Sequence, residues 1–240
     1  MMMMPVAESN AIAGLEHLPE QGWWLTRWGS SRVMAGVTDR HTERSALLRR
    51  VRSLRVSVET EQVHGSSIAA IDHPFESSDP IAGCDGLLTS HPGVALLIRT
   101  ADCLPLFFAE PSRGIIGLAH AGWRGLAAQL PLRMLAAFRH LYHVRAEALH
   151  VAIGPAIRSC CYEIGPEFAS RFAPFVHRRG DHRTCDLIGV AIDQLRQGGV
   201  RAERIADCHQ CTACDTQRWF SLRREGQATG RLTSLIALRS

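Results

Sequence analysis

Three continuous apolar runs constrain most strongly what this chain can fold into, because each has the length of one buried strand. They occupy residues 94–99, 104–108 and 115–119. Apolar runs of roughly four to eight residues between turn signals are typical of strands covered on both faces. The runs therefore predict strands in the interior of a domain.

Weaker patterns along the chain predict the remaining elements. Residues 43–54 and 186–197 predict helices, and a further helix should extend to about Tyr142, broken or late-starting because of Pro131. Further short strands are predicted at residues 22–25, 33–38, 58–63, 149–153, 204–206, 219–222 and 233–238. The mixture predicts an α+β (mixed α/β) fold with a β-sheet core flanked by helices. We expect one domain over residues 21–240 after a disordered N-terminus at 1–20.

Composition excludes several classes of function. The chain has 240 residues, 46% of them hydrophobic, which suffices for a core without disulfide staples. All 27 basic residues are Arg, so a Schiff-base lysine is excluded, and their spread along the chain favours no nucleic-acid partner. No apolar stretch is long enough for a membrane partner, and residues 1–10 do not resemble a signal peptide. With eight Cys and no secretion signal, we expect a reducing compartment, the cytoplasm.

Three side chains that can bind a metal lie at the ends of apolar segments. His64 belongs to the sequence QVHG, Cys103 to TADC and His120 to HAGWRG. Two imidazoles and one thiolate suit Zn²⁺, and three protein ligands leave the fourth position open for catalysis. The alternative is that both histidines are hydrogen-bonded structural side chains and Cys103 is a buried thiol. The separations of 39 and 17 residues do not decide between these interpretations.

Six longer motifs run through residues 60–238 in order: EQVHG, DGLLT, RTADCLPLFF, LAHAGWRGL, IGPAIRSCCYEIG and CTACDTQRWFSLRREGQATGRLTSLIAL. Together they resemble the laccase-domain or polyphenol oxidase family of YfiH-like proteins, also called peptidoglycan editing factors. The resemblance implies a catalytic zinc held by His64, Cys103 and His120. It implies a purine nucleoside phosphorylase acting with phosphate on adenosine, inosine, guanosine and methylthioadenosine, with adenosine deaminase side activity. An older description of the family implies a copper-dependent polyphenol oxidase instead.

The sequence departs from the family pattern after residues 33–40. Relatives carry a Gly-rich, Ser/Asn-containing loop there, close to the substrate, whereas His41-Thr42 leads here almost directly into residues 43–47. A peptidoglycan-precursor editing factor with weakened nucleoside chemistry is therefore an alternative. A hydrolase with Cys103 as its nucleophile is another.

Four residues within or near these motifs are candidates for binding substrate or phosphate: Arg40, Gln62, Asp102 and Arg124. Arg124 binds phosphate or pairs with a carboxylate such as Asp102. If the strands continue, alternation places Asp102 opposite Cys103, which favours a supporting carboxylate over a ligand. The same alternation places Gln62 on the face of His64, as a substrate contact or a structural hydrogen-bonding group.

Other residues have two interpretations or a structural one. Trp123 stacks on a base or packs its loop, and Asp85 in the Asp-Gly pair is interpreted as a turn former. The run C-x2-C-x2-C is compatible with a second structural zinc or part of an iron–sulfur site, although no fourth ligand is evident. It comprises Cys208, Cys211 and Cys214, whereas Cys160 and Cys161 are interpreted as buried thiols.

Overall fold

Two six-stranded mixed sheets form the centre of the computed structural model, which describes residues 14–26, 28–51, 54–71 and 79–239. In spatial order the first sheet contains β1 (Gly14–Leu18), β2 (Gly22–Thr26), β3 (Val33–Val37), β14 (Leu232–Leu238), β7 (Val94–Thr100) and β4 (Val56–Glu59). The second contains β13 (Ile205–Asp207), β10 (His150–Ile153), β8 (Leu104–Glu110), β9 (Ile115–Ala121), β6 (Gly86–Thr89) and β5 (Ile68–Ile71). A separate hairpin joins β11 (Val176–Arg179) to β12 (His182–Cys185).

The two sheets pack face to face because their central strands are apolar on both sides. On β7, Leu96 and Ile98 point into a core shared with Phe107 and Leu118 of the second sheet. The alternate residue Leu97 points to the opposite face of its sheet. Alternate residues of an apolar run thus belong to two cores, one on each face of the sheet, because side chains of a strand alternate between its faces.

Helices cover the outer faces of both sheets. Helix α1 (Arg44–Arg50) packs Leu47 on the first sheet. On the second sheet lie α2 (Trp123–Ala127), α3 (Leu130–Tyr142) and α5 (Leu187–Gln197), which contribute Leu126, Met134 and Leu195 to the largest core. Two one-turn helices, α4 (Pro166–Ala169) and α6 (Leu222–Glu225), lie in loops. The predicted α+β fold with a β-sheet core flanked by helices is confirmed.

The break predicted before the long helix lies between α2 and α3. Gln129 adopts a left-handed backbone between the two helices, with φ of 60°. Pro131 occupies the first turn of α3, where no intrahelical partner exists for the missing N–H. Among the described residues, no helix is both long and apolar enough to cross a membrane.

Several predicted elements are corrected by the structure. The strand predicted at 219–222 is absent: residues 219–221 are irregular, and Ser221 caps α6 by accepting a hydrogen bond from the Arg224 backbone N–H. The strand predicted at 58–63 ends at Glu59, so the chain turns before it reaches His64.

The N-terminal prediction and the first helix also need correction. Within the segment predicted to be disordered, residues 14–18 form β1, which pairs antiparallel with β2. The rest of that segment before residue 14 lies outside the described residues. The helix predicted at 43–54 is shorter, because Val51 leaves the helical backbone after Arg50.

Candidate metal centre

A turn, a connection between two strands and the end of a third strand bring the three predicted ligands together. His64 lies in the turn after β4, Cys103 in the short connection between β7 and β8, and His120 on β9. Each offers one ligand atom, and the three atoms lie within 4.8 Å of one another. His64 is exposed and His120 is buried, so the group opens towards solvent on one side.

A buried carboxylate orients the two histidines. Asp85 is completely buried at the start of β6, and its Oδ1 lies 2.8 Å from Nδ1 of His120. The same carboxylate accepts the backbone N–H groups of His64 at 3.0 Å and Gly65 at 2.7 Å. With Nδ1 donating to Asp85, the His120 ring leaves Nε2 free to bind a metal.

Close backbone packing makes room for the ligands. A Cβ on Gly122 would lie 3.0 Å from the Cys103 Sγ and 3.1 Å from the His64 ring, tighter than ordinary contacts. His64 and Asp102 adopt left-handed φ values of 59° and 89°. These turns point the side chains inward at the cost of local backbone strain.

Proton affinities within the group favour a thiolate beside an imidazolium. Burial alone raises the pKa of Cys103, but hydrogen bonds from His120 and His64 outweigh it and lower the pKa to about 6. Burial lowers the pKa of His120, but Asp85 and Cys103 outweigh it and raise the pKa to about 9. A cation placed between these ligands would replace the proton that they share.

The ligand set fits a single zinc ion. Zinc bonds of about 2.0–2.3 Å in a tetrahedron separate neighbouring ligand atoms by about 3.3–3.8 Å, which lies within the observed spacing. In the described part of the chain, metal-capable side chains gather in threes or more at this group and at one group of cysteines. Neither supplies the many histidines of a multicopper oxygen-reducing centre.

The same arrangement of chain and motifs occurs in known proteins. Residues 31–239 match the family model described as multi-copper polyphenol oxidoreductase laccase. The chain belongs to this family. It is 34% identical over 194 residues to the purine nucleoside phosphorylase YlmD of Geobacillus stearothermophilus (strain DSM 13240), covering 75% of this chain and 71% of the relative. The crystal structure of YlmD superposes with a TM-score of 0.81 and 27% identity, over 94% of this chain and 99% of that one.

A second relative is named for a different reaction. The adenosine deaminase RL5 of an unknown prokaryotic organism is 28% identical over 185 residues, covering 71% of this chain and 70% of the relative. The names of these relatives support an enzyme of this family.

Two polar residues beside the ligands in this laccase-family chain form hydrogen bonds with neighbouring protein groups. The Gln62 side chain both donates to the Arg99 carbonyl, at 2.6 Å, and accepts the Arg99 N–H, at 2.7 Å. The Asp102 carboxylate accepts the Thr212 hydroxyl at 2.6 Å and the Arg223 backbone N–H at 2.7 Å. Strand alternation does not apply to either residue, because both lie outside the strands.

The two arginines predicted to bind phosphate have different surroundings. Arg40 forms an ion pair with Glu225 at 3.0 Å and stacks over Phe220. The exposed Arg124 lies 4.3 Å from the ring of Trp123, and among the described residues its guanidinium has no carboxylate partner. The pair predicted between Arg124 and Asp102 is therefore absent from the described part of the chain.

Two residues of this site escaped the sequence analysis. Asp85 was interpreted as a turn former, but its buried carboxylate supports both histidines, so that interpretation is wrong. Arg171 lies 5.7 Å from the Trp123 ring, on the loop after α4, and adds a second guanidinium beside the indole. Nothing in the local sequence indicates that Asp85 contacts the His64-Gly65 pair, since 20 residues separate Gly65 from Asp85.

Proposed function

We propose that this chain is a zinc-dependent purine nucleoside phosphorylase with adenosine deaminase side activity. The observation that carries the proposal is the convergence of His64, Cys103 and His120 around one point, with Asp85 behind them. Relatives named for these two reactions support it. A zinc ion bound by the three ligands would act as a Lewis acid and lower the pKa of a bound water towards about 7.

The residues of the chain contribute orientation and charge. Asp85 fixes the His120 ring, and Gly122 keeps the space between Cys103 and His64 clear of side-chain atoms. Arg124, three residues into the loop and helix that follow β9, would attract a phosphate anion, and Arg171 also lies beside the Trp123 indole.

Phosphorolysis breaks the bond between the ribose C1′ and the purine nitrogen and forms a bond from a phosphate oxygen to C1′. The bonding electrons leave with the purine, which takes up a proton. Guanidinium groups beside the phosphate balance its charge in the ground state and hold it in line with C1′. Arg40 is not assigned this role because Glu225 already neutralises it.

The direct test is incubation of the zinc-loaded protein with inosine or adenosine, with and without phosphate, followed by chromatography. We expect free base and ribose 1-phosphate only with phosphate, and inosine from adenosine without it. If zinc-loaded protein yields none of these products, the proposal is wrong. Full activity of a copper-free preparation would also remove the alternative of a copper-dependent polyphenol oxidase.

The short connection between β3 and α1 favours one second candidate, an editing factor for peptidoglycan precursors with weakened nucleoside chemistry. Polar groups in this connection are used internally: Asp39 accepts hydrogen bonds from Trp23, His41 and Thr42. Calorimetry separates the two functions, because retained zinc without heat of nucleoside binding would support the second candidate.

A further inference from the structure

Four cysteine side chains from two loops converge away from the catalytic ligands. One loop follows β10 and the other follows β13, and a parallel bridge between Ala156 and Cys211 holds them side by side. The four Sγ atoms lie within 4.8 Å of one another. This cysteine cluster consists of Cys160, Cys161, Cys211 and Cys214.

The distances in the cysteine cluster match a tetrahedron of sulfur ligands. The Sγ atom of Cys160 lies 3.6 Å from that of Cys211 and 3.5 Å from that of Cys214, which in turn lies 3.3 Å from Cys161. Four sulfurs around one zinc at about 2.3 Å are separated by about 3.8 Å. Disulfide bonds need a separation of about 2.0 Å, and a multi-iron cluster needs its sulfur ligands farther apart.

The backbone around the cluster is already fixed. Arg223 donates to the Cys161 and Glu163 carbonyls at 3.4 and 2.9 Å, and Arg224 donates to the Thr212 and Ala213 carbonyls at 2.9 Å each. Helix α6 therefore clamps both cysteine loops at once. Ligands held in place before the metal arrives lose little conformational entropy on binding it.

We propose that the cysteine cluster binds a second metal ion, a structural zinc, that locks the two loops together. Cys208 does not belong to it, although the sequence places it in one C-x2-C-x2-C run with Cys211 and Cys214. Its thiol is buried elsewhere, and burial raises its pKa to about 12. The third and fourth ligands come from the other loop, as the adjacent pair Cys160 and Cys161.

The locked loops support the catalytic side of the molecule. Thr212, next to Cys211, donates its hydroxyl to Asp102, and the Ile157 N–H donates to the Asp102 carbonyl at 2.9 Å. Asp102 directly precedes Cys103. The structural zinc therefore stabilises the turn that presents the catalytic thiolate, without itself contacting substrate.

Metal analysis of four proteins purified under reducing conditions with zinc tests the proposal. We expect about two zinc ions per chain in the wild type, about one in Cys103→Ala, about one in Cys161→Ser/Cys214→Ser and about two in the matched control Cys208→Ala. One zinc in the wild type and none in Cys103→Ala would overturn the proposal. Equal zinc content in the double variant and the control would overturn it as well.

Cobalt substitution covers the case in which the double variant does not fold. Cys103→Ala loaded with one Co²⁺ should show the intense visible bands and sulfur-to-cobalt charge transfer of a tetrahedral tetrathiolate. Absence of these bands contradicts the proposal. Alkylation of the denatured wild type, without prior reduction, distinguishes a metal site from disulfide bonds. Eight free thiols support a metal site, whereas only four free thiols would mean that the cluster forms two disulfide bonds instead.

Discussion

The two groups of metal-capable side chains in the described part of the chain differ in what supports their ligands. At the proposed catalytic group, the buried carboxylate of Asp85 accepts hydrogen bonds from the His120 ring and the His64 backbone, and three ligands leave one side open. At the cysteine cluster two arginines hold backbone carbonyls, and four thiols surround one point. From this contrast we expect the number of ligands and the charge behind them to separate a site for chemistry from a site for stability.

We expect the largest effect to be a difference in activity between variants of the two groups. Cys103→Ala removes one of the three proposed zinc ligands, so we expect the rate of inosine phosphorolysis to fall by about 10³-fold or more, equivalent to several kcal/mol of transition-state stabilisation. The double variant Cys161→Ser/Cys214→Ser should keep its rate within about tenfold while its Tm falls, since the proposed second metal supports loops and does not contact substrate. Equal losses of activity in both variants would erase the distinction.

Asp85→Asn tests whether the buried carboxylate supports the catalytic ligands. The amide cannot accept the His120 N–H with the same charge, so we expect zinc affinity to fall by about 10- to 100-fold in competition with a chromophoric chelator. Asp39→Asn is the matched control, because Asp39 is also a buried carboxylate with three hydrogen bonds but lies in the β3–α1 connection. It should lower Tm and leave zinc affinity unchanged.

The effect of the control substitution Asp39→Asn on Tm should depend on pH in a predictable way. Burial raises its pKa, but hydrogen bonds from Thr42, His41 and Trp23 outweigh burial and lower the pKa overall. The stabilisation is therefore present above the ordinary carboxyl pKa and is lost as the pH falls through the lowered value. The difference in Tm between wild type and Asp39→Asn should shrink as the pH falls below about 4.

Arg124→Gln addresses the exposed guanidinium that follows His120 in the chain. Loss of one guanidinium should raise the KM for phosphate by about tenfold with little change in Tm. Arg40→Gln is the control, because that arginine is paired with Glu225 and should affect Tm rather than the KM for phosphate. A larger KM change in Arg40→Gln would reverse the assignment.

The smallest effect concerns Trp123, whose indole contacts Phe168 at a centroid distance of 4.5 Å. If the indole also stacks on the base, Trp123→Leu should raise the KM for inosine by about two- to tenfold and Trp123→Phe should restore it. Steady-state kinetics and thermal melting on the same samples distinguish stacking on the base from packing of the loop. A lower Tm with unchanged KM means that the indole only packs the loop.

Local patterns in the sequence predicted the central strands and the break before α3, because periodicity and proline act over a few residues. The family motifs predicted which three side chains come together, whereas Asp85 was missed because an Asp-Gly pair carries the same local signal whether its carboxylate faces solvent or a histidine. The cysteine cluster was also missed: 50 residues separate Cys161 from Cys211, and only the pairing of two loops joins them. Contacts of that kind depend on topology, which residue spacing does not encode.

The place of β14 in the first sheet has a consequence for how the protein is made. β14 lies between β3 and β7, so residues 232–238 complete a sheet whose other strands are synthesised far earlier. Until they leave the ribosome, β7 has β4 as its sheet neighbour on one edge and an unpaired backbone on the other. The nascent chain therefore carries all three proposed ligands while the strand that leads into Cys103 is still an open edge, a period in which chaperones or early metal binding would protect it from aggregation.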